Sequence, residues 1–290
     1  MSRSELRAGE TLAPDPLMTE VDLSGSSENG AADAVRGFRL RYPNHTFAPV
    51  VVVIPAFNEE DSIGPVLDGI PREACGLAVE TLVVDDGSSD GTAKVSSEHG
   101  VRVATLSKNS GQGSALRVGY DLAREHDASY IVTLDADGQW DPKVIPDLLE
   151  PVVAGEADFV LGSRVLGRSE NNDAFRQAGV RVFAMLASLL TGVRLTDTSS
   201  GVRVLRAEVT ATVRQEEAQY QASELLVGAI CQGYRVVERP VILRKRIAGE
   251  SKKGHNVLYG LRYARVMIRT WWRERGSRGS RHRAAGAPAD

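Results

Sequence analysis

From Val50 onward, short apolar runs rich in β-branched residues take turns with stretches of helical periodicity, and few architectures accommodate that order. The run Val50 to Ile54 is followed by a helix from about Ser62, a strand in "ETLVVDD", and a helix from about Gly91. A strand in "VRVATL", a helix from Ser114, a strand in "YIVTLDAD", a helix from Pro142 and a strand in "DFVLGS" come next. Strands this continuously apolar are covered on both faces. The reading is an α/β protein with a mostly parallel central sheet and helices on both faces. Ligands of such sheets bind beyond the carboxyl ends of the strands.

Past Arg164 the alternation fades. An apolar helix over Phe175 to Leu190 precedes "DTSSGVRVL", a helix through "ASELLVGAICQGY", a strand pair around "YRVVERPVIL" and a basic C-terminal helix. Residues 1–44, rich in Ser, Gly, Glu and Asp and without periodicity, read as a flexible leader. The remainder divides into a domain over 45–253, an amphipathic helix over 254–275 and a disordered basic tail over 276–290.

Composition narrows the function classes. No apolar segment approaches the ~20 residues of a membrane span, and the N-terminus lacks the apolar core of a secretory signal. Two cysteines, Cys75 and Cys231, form no disulfide framework and suit a reducing cytoplasm. Charge is unevenly placed: Arg244 to Arg283 holds 13 Lys and Arg against Glu250 and Glu274, a net +11, so the rest of the chain carries −14. The basic end suits an anionic partner: lipid surface, phosphorylated substrate or nucleic acid. The five histidines show no metal-ligand spacing.

Three strand-end loops carry the polar residues that matter. "IPAFNEEDSI" places Asn58 and Glu59 at the lip of the first strand, with Asp61 or Ser62 available to cap the next helix. "VVDDGSSDGT" places Asp85 and Asp86 before a Gly87 turn, with Ser89 or Asp90 as cap. Each alone is ordinary turn chemistry. "YIVTLDADGQWDP" is less ordinary: alternation along a strand ending at Asp135 sends Asp135 and Asp137 to one side, with the oxygen of Gln139 one step further. Two carboxylates so close repel each other unless a proton or a cation sits between them, so something positive is expected there. A hard divalent ion, Mg²⁺ or Mn²⁺, takes a few protein oxygens and completes its shell with phosphates, so a nucleoside diphosphate with its metal is the natural occupant.

Taken together and in this order, the three loops resemble the nucleotide-sugar-binding half of inverting glycosyltransferase family 2, in its polyprenyl-phosphate branch typified by dolichyl-phosphate mannose synthase. The resemblance spans Val50 to Lys253 and implies a GT-A-like fold. It implies that Pro55, Phe57, Glu59, Val84 and Asp86, with Asp85 beside them, form the nucleoside pocket. Asp135, Ala136, Asp137 and Gln139 would form the diphosphate and metal site. Arg164 of "LGSR", and Arg246 and Lys252 of "RKRIAGESK", which matches the branch's Arg-x-x-Gly-x-Ser-Lys pattern, would contact phosphate. Asp197, Ser200, Arg203 and Glu224 match polar positions on the acceptor side. The glycines of "NSGQGSALRVGY" shape a loop over the donor pocket, with Lys108 and Arg117 as possible contacts. The Gln-x-x-Arg-Trp pattern of processive members does not occur, which argues against a polysaccharide synthase.

The expected reaction moves a hexose from a GDP- or UDP-sugar to a polyprenyl phosphate. A phosphate acceptor is largely dianionic at neutral pH, with a second pKa near ~6, and needs no general base. A soluble hydroxyl acceptor would need one, and Asp197 or Glu224 would be the candidates. A noncatalytic nucleotide-sugar binder and a nucleic-acid binder are the other readings; the strand-end carboxylates weigh against nucleic acid as a partner. On a helical wheel, Val257, Leu261, Ala264, Ile268, Trp271 and Trp272 share one face beside Arg262, Arg265, Arg269 and Arg273. That pattern predicts a peripheral helix at the anionic inner face of a membrane, with the protein cytoplasmic.

Overall fold

The run Val50–Val53 is uniformly apolar because its strand is covered on both sides. Val51 and Val53 enter one core with Leu116 and Tyr120, while Val50, Val52 and Ile54 enter a second with Ile63, Val66, Leu148 and Leu149. In the computed structural model, residues 24–170, 173–247 and 257–275 are described. Among them eight strands form one sheet: β1 (Val50–Ala56), β2 (Glu73–Ala74), β3 (Leu77–Asp85), β4 (Arg102–Thr105), β5 (Tyr130–Thr133), β6 (Phe159–Ser169), β7 (Arg203–Arg206) and β8 (Val236–Leu243). The order is β2-β3-β1-β5-β7-β6-β8, with β4 also on β3. The pairs of β1 with β3 and β5, β3 with β4, and β6 with β8 are parallel, while β7 runs antiparallel between β5 and β6.

Helices α2 (Glu60–Gly69), α3 (Thr92–Glu98) and α5 (Ile145–Val153) cover one face. α1 (Ser24–Arg41), α4 (Gln112–Glu125), α6 (Ala174–Thr191), α7 (Ala207–Thr212), α8 (Gln221–Cys231) and α9 (Val257–Glu274) belong to the other. The mostly parallel sheet with helices on both faces is therefore present, as is the C-terminal helix.

Three expectations change. Residues Ser24–Arg41 of the segment read as a flexible leader are helix α1, which buries Ala34 and Phe38, with the Phe38 ring 4.8 Å from Tyr42 and 6.0 Å from Phe47. Its apolar residues are too few for periodicity to register, so its helicity depends on docking. The expected strand pair around Pro240 is the single strand β8, which pairs with both halves of β6 across a register shift between Ser163 and Arg168. Finally, β5 ends at Thr133, so Asp135 to Gln139 is a turn to which strand alternation does not apply.

Candidate active site

Strands β3, β1 and β5 are neighbours, and the loops leaving their carboxyl ends converge on one cleft of about 460 Å³. The end of β1 and the loop after it supply Pro55, Phe57 and Glu59, the second loop Asp86, and the third Asp135, Ala136 and Asp137; Asn109, Gly111, Gln112, Gln219 and Arg246 line the walls as well. Asn58, at φ 52°, stitches two of the loops: its N–H donates to Ser88 Oγ at 2.9 Å and its Oδ1 accepts from Ser89 N at 2.8 Å.

The charged core of the cleft is compact. Asp137 Oδ1 accepts from Gln139 N at 3.0 Å, which closes the turn, and its Oδ2 lies 2.8 Å from Arg246 Nη2. Arg246 Nη1 reaches Glu59 Oε1 at 3.2 Å, and Glu59 Oε2 accepts from Ser62 Oγ at 2.7 Å. Arg246 arrives because the segment after β8 lies along the turn, with Arg244 N donating to Gln139 O at 2.8 Å and Ile247 N to Asp137 O at 3.3 Å. Gly138, at φ +71°, leaves room for the Ile247 side chain, which any Cβ there would strike.

Asp135 accepts from Gln112 Nε2 at 2.8 Å. Its other oxygen lies against Gly201, where a Cβ would fall well inside contact distance of Asp135 Oδ2 and 2.6 Å from Trp140 Nε1. Asp86 accepts from Ser110 N and Gly111 N, both at 2.8 Å. Burial pushes its pKa up to about 6, the neighbouring Asp85 charge adds to this, and the two N–H donors partly oppose it. Asp86 thus takes up its proton nearer neutrality when folded than when unfolded. Its contribution to stability is fully present below the unfolded pKa near 3.8 and is lost as pH rises through about 6. Asp86→Asn should flatten the stability profile between pH 4 and 7, as read by denaturant titration at a series of pH values.

Other expected site residues fall outside this cleft. Val84 is buried in the core, and Asp85 Oδ1 accepts from Ser88 N at 3.0 Å within its turn. Gln139 donates through Nε2 to Arg244 O at 3.1 Å and does not line the cleft, because the turn faces it toward the incoming chain. Arg203 is buried in β7 with Nε donating to Ser200 O at 2.9 Å, and its Nη1 has no partner among the described residues. Lys252 lies outside the described residues. Lys108 is exposed, and Arg117 is turned to Glu217 O and Ser114 Oγ, both at 3.0 Å.

Arg164 belongs to a second pocket of about 270 Å³, lined also by Arg168, Arg176, Arg181, Ser169 and Asp173. Its guanidinium forks onto the buried Asp197 (Nε to Oδ2 2.6 Å, Nη2 to Oδ1 3.1 Å) and lies 5.4 Å from the Trp140 ring centroid. Four arginines around one pocket suit an oxyanion.

Gln112 and Gln219 went unread in the sequence. The flanking glycines marked the first, since Gly111 has φ +91° and Gly113 lies against Glu217 O. Gln219 sits in a polar stretch without a local signal.

Among the described residues no three His, Cys, Asp or Glu side chains come together as a metal centre. The carboxylate pair alone fits a divalent ion that takes most of its ligands from phosphate and water. Arg246 on Asp137 Oδ2 marks that oxygen as one that holds positive charge.

Residues 51–214 match the glycosyl transferase family 2 profile, and the chain belongs to that family. A dolichyl-phosphate hexose transferase of Haloferax volcanii is 33% identical over 72% of this chain and 88% of its own. A polyprenol monophosphomannose synthase of Mycolicibacterium smegmatis is 33% identical over 81% of this chain and 90% of its own. Among solved structures, glucosyl-3-phosphoglycerate synthase from Mycobacterium tuberculosis with Mn²⁺ and UDP-glucose superposes with a TM-score of 0.59. That likeness, at 21% identity and covering 85% of this chain and 84% of the other, establishes the GT-A fold.

Proposed function

We propose that the protein transfers a hexose from a nucleoside diphosphate sugar to a polyprenyl phosphate with inversion. The observation that carries this reading is a pair of pockets of opposite character linked through Trp140, whose ring meets Arg164 on one side and which lies with Asp135 against Gly201 on the other. One holds carboxylates with a single arginine from the far end of the domain, and the other gathers Arg164, Arg168, Arg176 and Arg181. Asp86 and the 109–112 loop face the nucleoside, Arg246 the diphosphate, and the arginine pocket the acceptor phosphate; Lys252 is assigned to the diphosphate by its motif alone. Asp135 and Asp137 would hold Mg²⁺ or Mn²⁺. Once bound, the ion offsets charge on the leaving diphosphate.

An acceptor phosphate oxygen attacks the anomeric carbon opposite the diphosphate, whose oxygen leaves with the bonding pair. No proton has to be removed from the dianion. A hydroxyl acceptor is disfavoured because both carboxylates considered as bases are engaged. Asp197 is buried in its fork with Arg164. Glu224 is buried between Arg273 and the amides of Glu216 and Glu217. Radiolabelled donor incubated with polyprenyl phosphate should yield label that partitions into organic solvent; counts that stay aqueous would overturn the assignment.

Membrane attachment follows the same reading. α9 packs through Tyr263, Val266 and Met267, leaving Leu261, Ile268 and Trp272 exposed, and the adjoining α6 exposes Val182, Met185 and Leu189. Arg262 and Arg265 flank the α9 stripe. Among the described residues no helix is long and apolar enough to cross a membrane, so an interfacial contact serves. Sedimentation with phosphatidylglycerol vesicles should recover the protein, and Leu261→Ser or Trp272→Ser should each weaken recovery about tenfold.

A further inference from the structure

The C-terminal helix is wired into the donor cleft. Glu224 lies on α8 with its side chain 1% exposed, and a charge at that depth must be paired and hydrogen-bonded. Its Oε2 accepts from Glu216 N and Glu217 N, both at 2.9 Å, and its Oε1 is 3.2 Å from Arg273 Nη2 on α9. Arg273 also donates through Nη2 to Arg214 O at 2.6 Å, reaches Glu216 Oε2 at 3.2 Å through Nη1 and meets Glu274 Oε1 at 2.9 Å. One guanidinium therefore holds the start of the 214–220 loop, its middle and the carboxylate that shapes its backbone. Arg269, one turn back, adds an ion pair to Glu216 at 2.8 Å.

The loop so held is a wall of the cleft. Glu217 O accepts from Arg117 at 3.0 Å, and Ala218 O accepts from Gly113 N at 2.7 Å. Gly111 and Gly113 allow this approach, since a Cβ on Gly113 would strike Glu217 O and one on Gly111 would lie 3.0 Å from Ala218 O. The same α4 start sends Gly111 N to Asp86 and Gln112 Nε2 to Asp135, and the next loop residue, Gln219, lines the cleft itself.

We infer that Arg273 and Glu224 are positioning residues for the donor: through the 214–220 loop they fix the α4 start, and with it Asp86, Asp135 and Gln219. This rests on reading the cleft as the nucleotide site. Because the latch precedes the chemistry, breaking it weakens donor binding and leaves the acceptor pocket, which it does not touch, unaffected.

Titration calorimetry with UDP and GDP in the presence of Mn²⁺ tests this. Arg273→Gln should weaken binding of the preferred nucleotide about tenfold and raise KM for the donor in proportion. kcat at saturating donor and KM for polyprenyl phosphate should stay within about twofold. Arg273→Lys should recover most of the loss. Arg269→Gln, at a more exposed position that survives should Arg273→Gln fail to fold, should give a smaller loss of the same kind. Arg39→Gln, which breaks a surface pair with Glu125 at the other end of α4, should leave nucleotide affinity unchanged. Unaltered affinity in the Arg273 and Arg269 variants, or a fall in kcat alone, would overturn the latch while the cleft assignment stands. Failure of the unaltered protein to bind either nucleotide would overturn both.

Discussion

Asp137→Ala should abolish the metal-dependent part of nucleotide binding and lower turnover by 10²–10³-fold or more, on the order of what a charge-stabilising group at a transition state contributes. The substitution removes two things. Oδ1 closes the turn by accepting from Gln139 N, and Oδ2 faces Arg246 at 2.8 Å in the cleft. Asp137→Asn separates them, because its amide oxygen can still close the turn while the charge is gone. It should retain the native melting temperature closely and lose the Mn²⁺ response as fully as alanine does. Thermal-shift titration with guanosine and uridine diphosphates, with and without Mn²⁺, reads both effects. An Asp137→Ala protein whose shift with metal equals that of the native chain would remove Asp137 from the site.

Gly201→Ala should lower turnover about 10²-fold, which is the scale of loss when a reacting group is misplaced by an ångström. The added methyl has nowhere to go. One side is Asp135 Oδ2, and another is the indole Nε1 of Trp140, itself buried. Overpacking of this kind costs roughly 1–3 kcal/mol, so circular dichroism should report a folded protein with a modestly lower Tm. Nucleotide binding without metal should persist, because Asp86 and the first loop are untouched, and the increment on adding Mn²⁺ should shrink. A variant with native turnover would show that the position of Asp135 is not critical.

Much of this site could be read from local sequence. The order of strands and helices after Val50, the loops "AFNEE", "DDGSS" and "DADGQ", and the distant arginine of "RKRI" lead to Glu59, Asp86, Asp135, Asp137 and Arg246. These five share one cleft. A parallel sheet makes this legible: strands that run the same way deliver their following loops to the same edge, so motifs far apart in the chain become neighbours. Gln139 was misplaced in that reading because alternation was carried past Thr133, where the backbone leaves the strand.

The chain's own pattern determined the α/β class, the three carboxylate-bearing loops and the basic amphipathic end, because periodicity and turn chemistry are local. Only the tertiary structure decided that Gly201 abuts Asp135, that Arg164 turns to Asp197 in a separate arginine pocket, and that Arg273 reaches Glu224 from a helix 49 residues further on. Those pairings follow from β7 inserting antiparallel between β5 and β6 and from α9 docking on α8. A four-residue strand and a helix contact made by a few side chains leave no periodic trace; they are selected by burial in three dimensions.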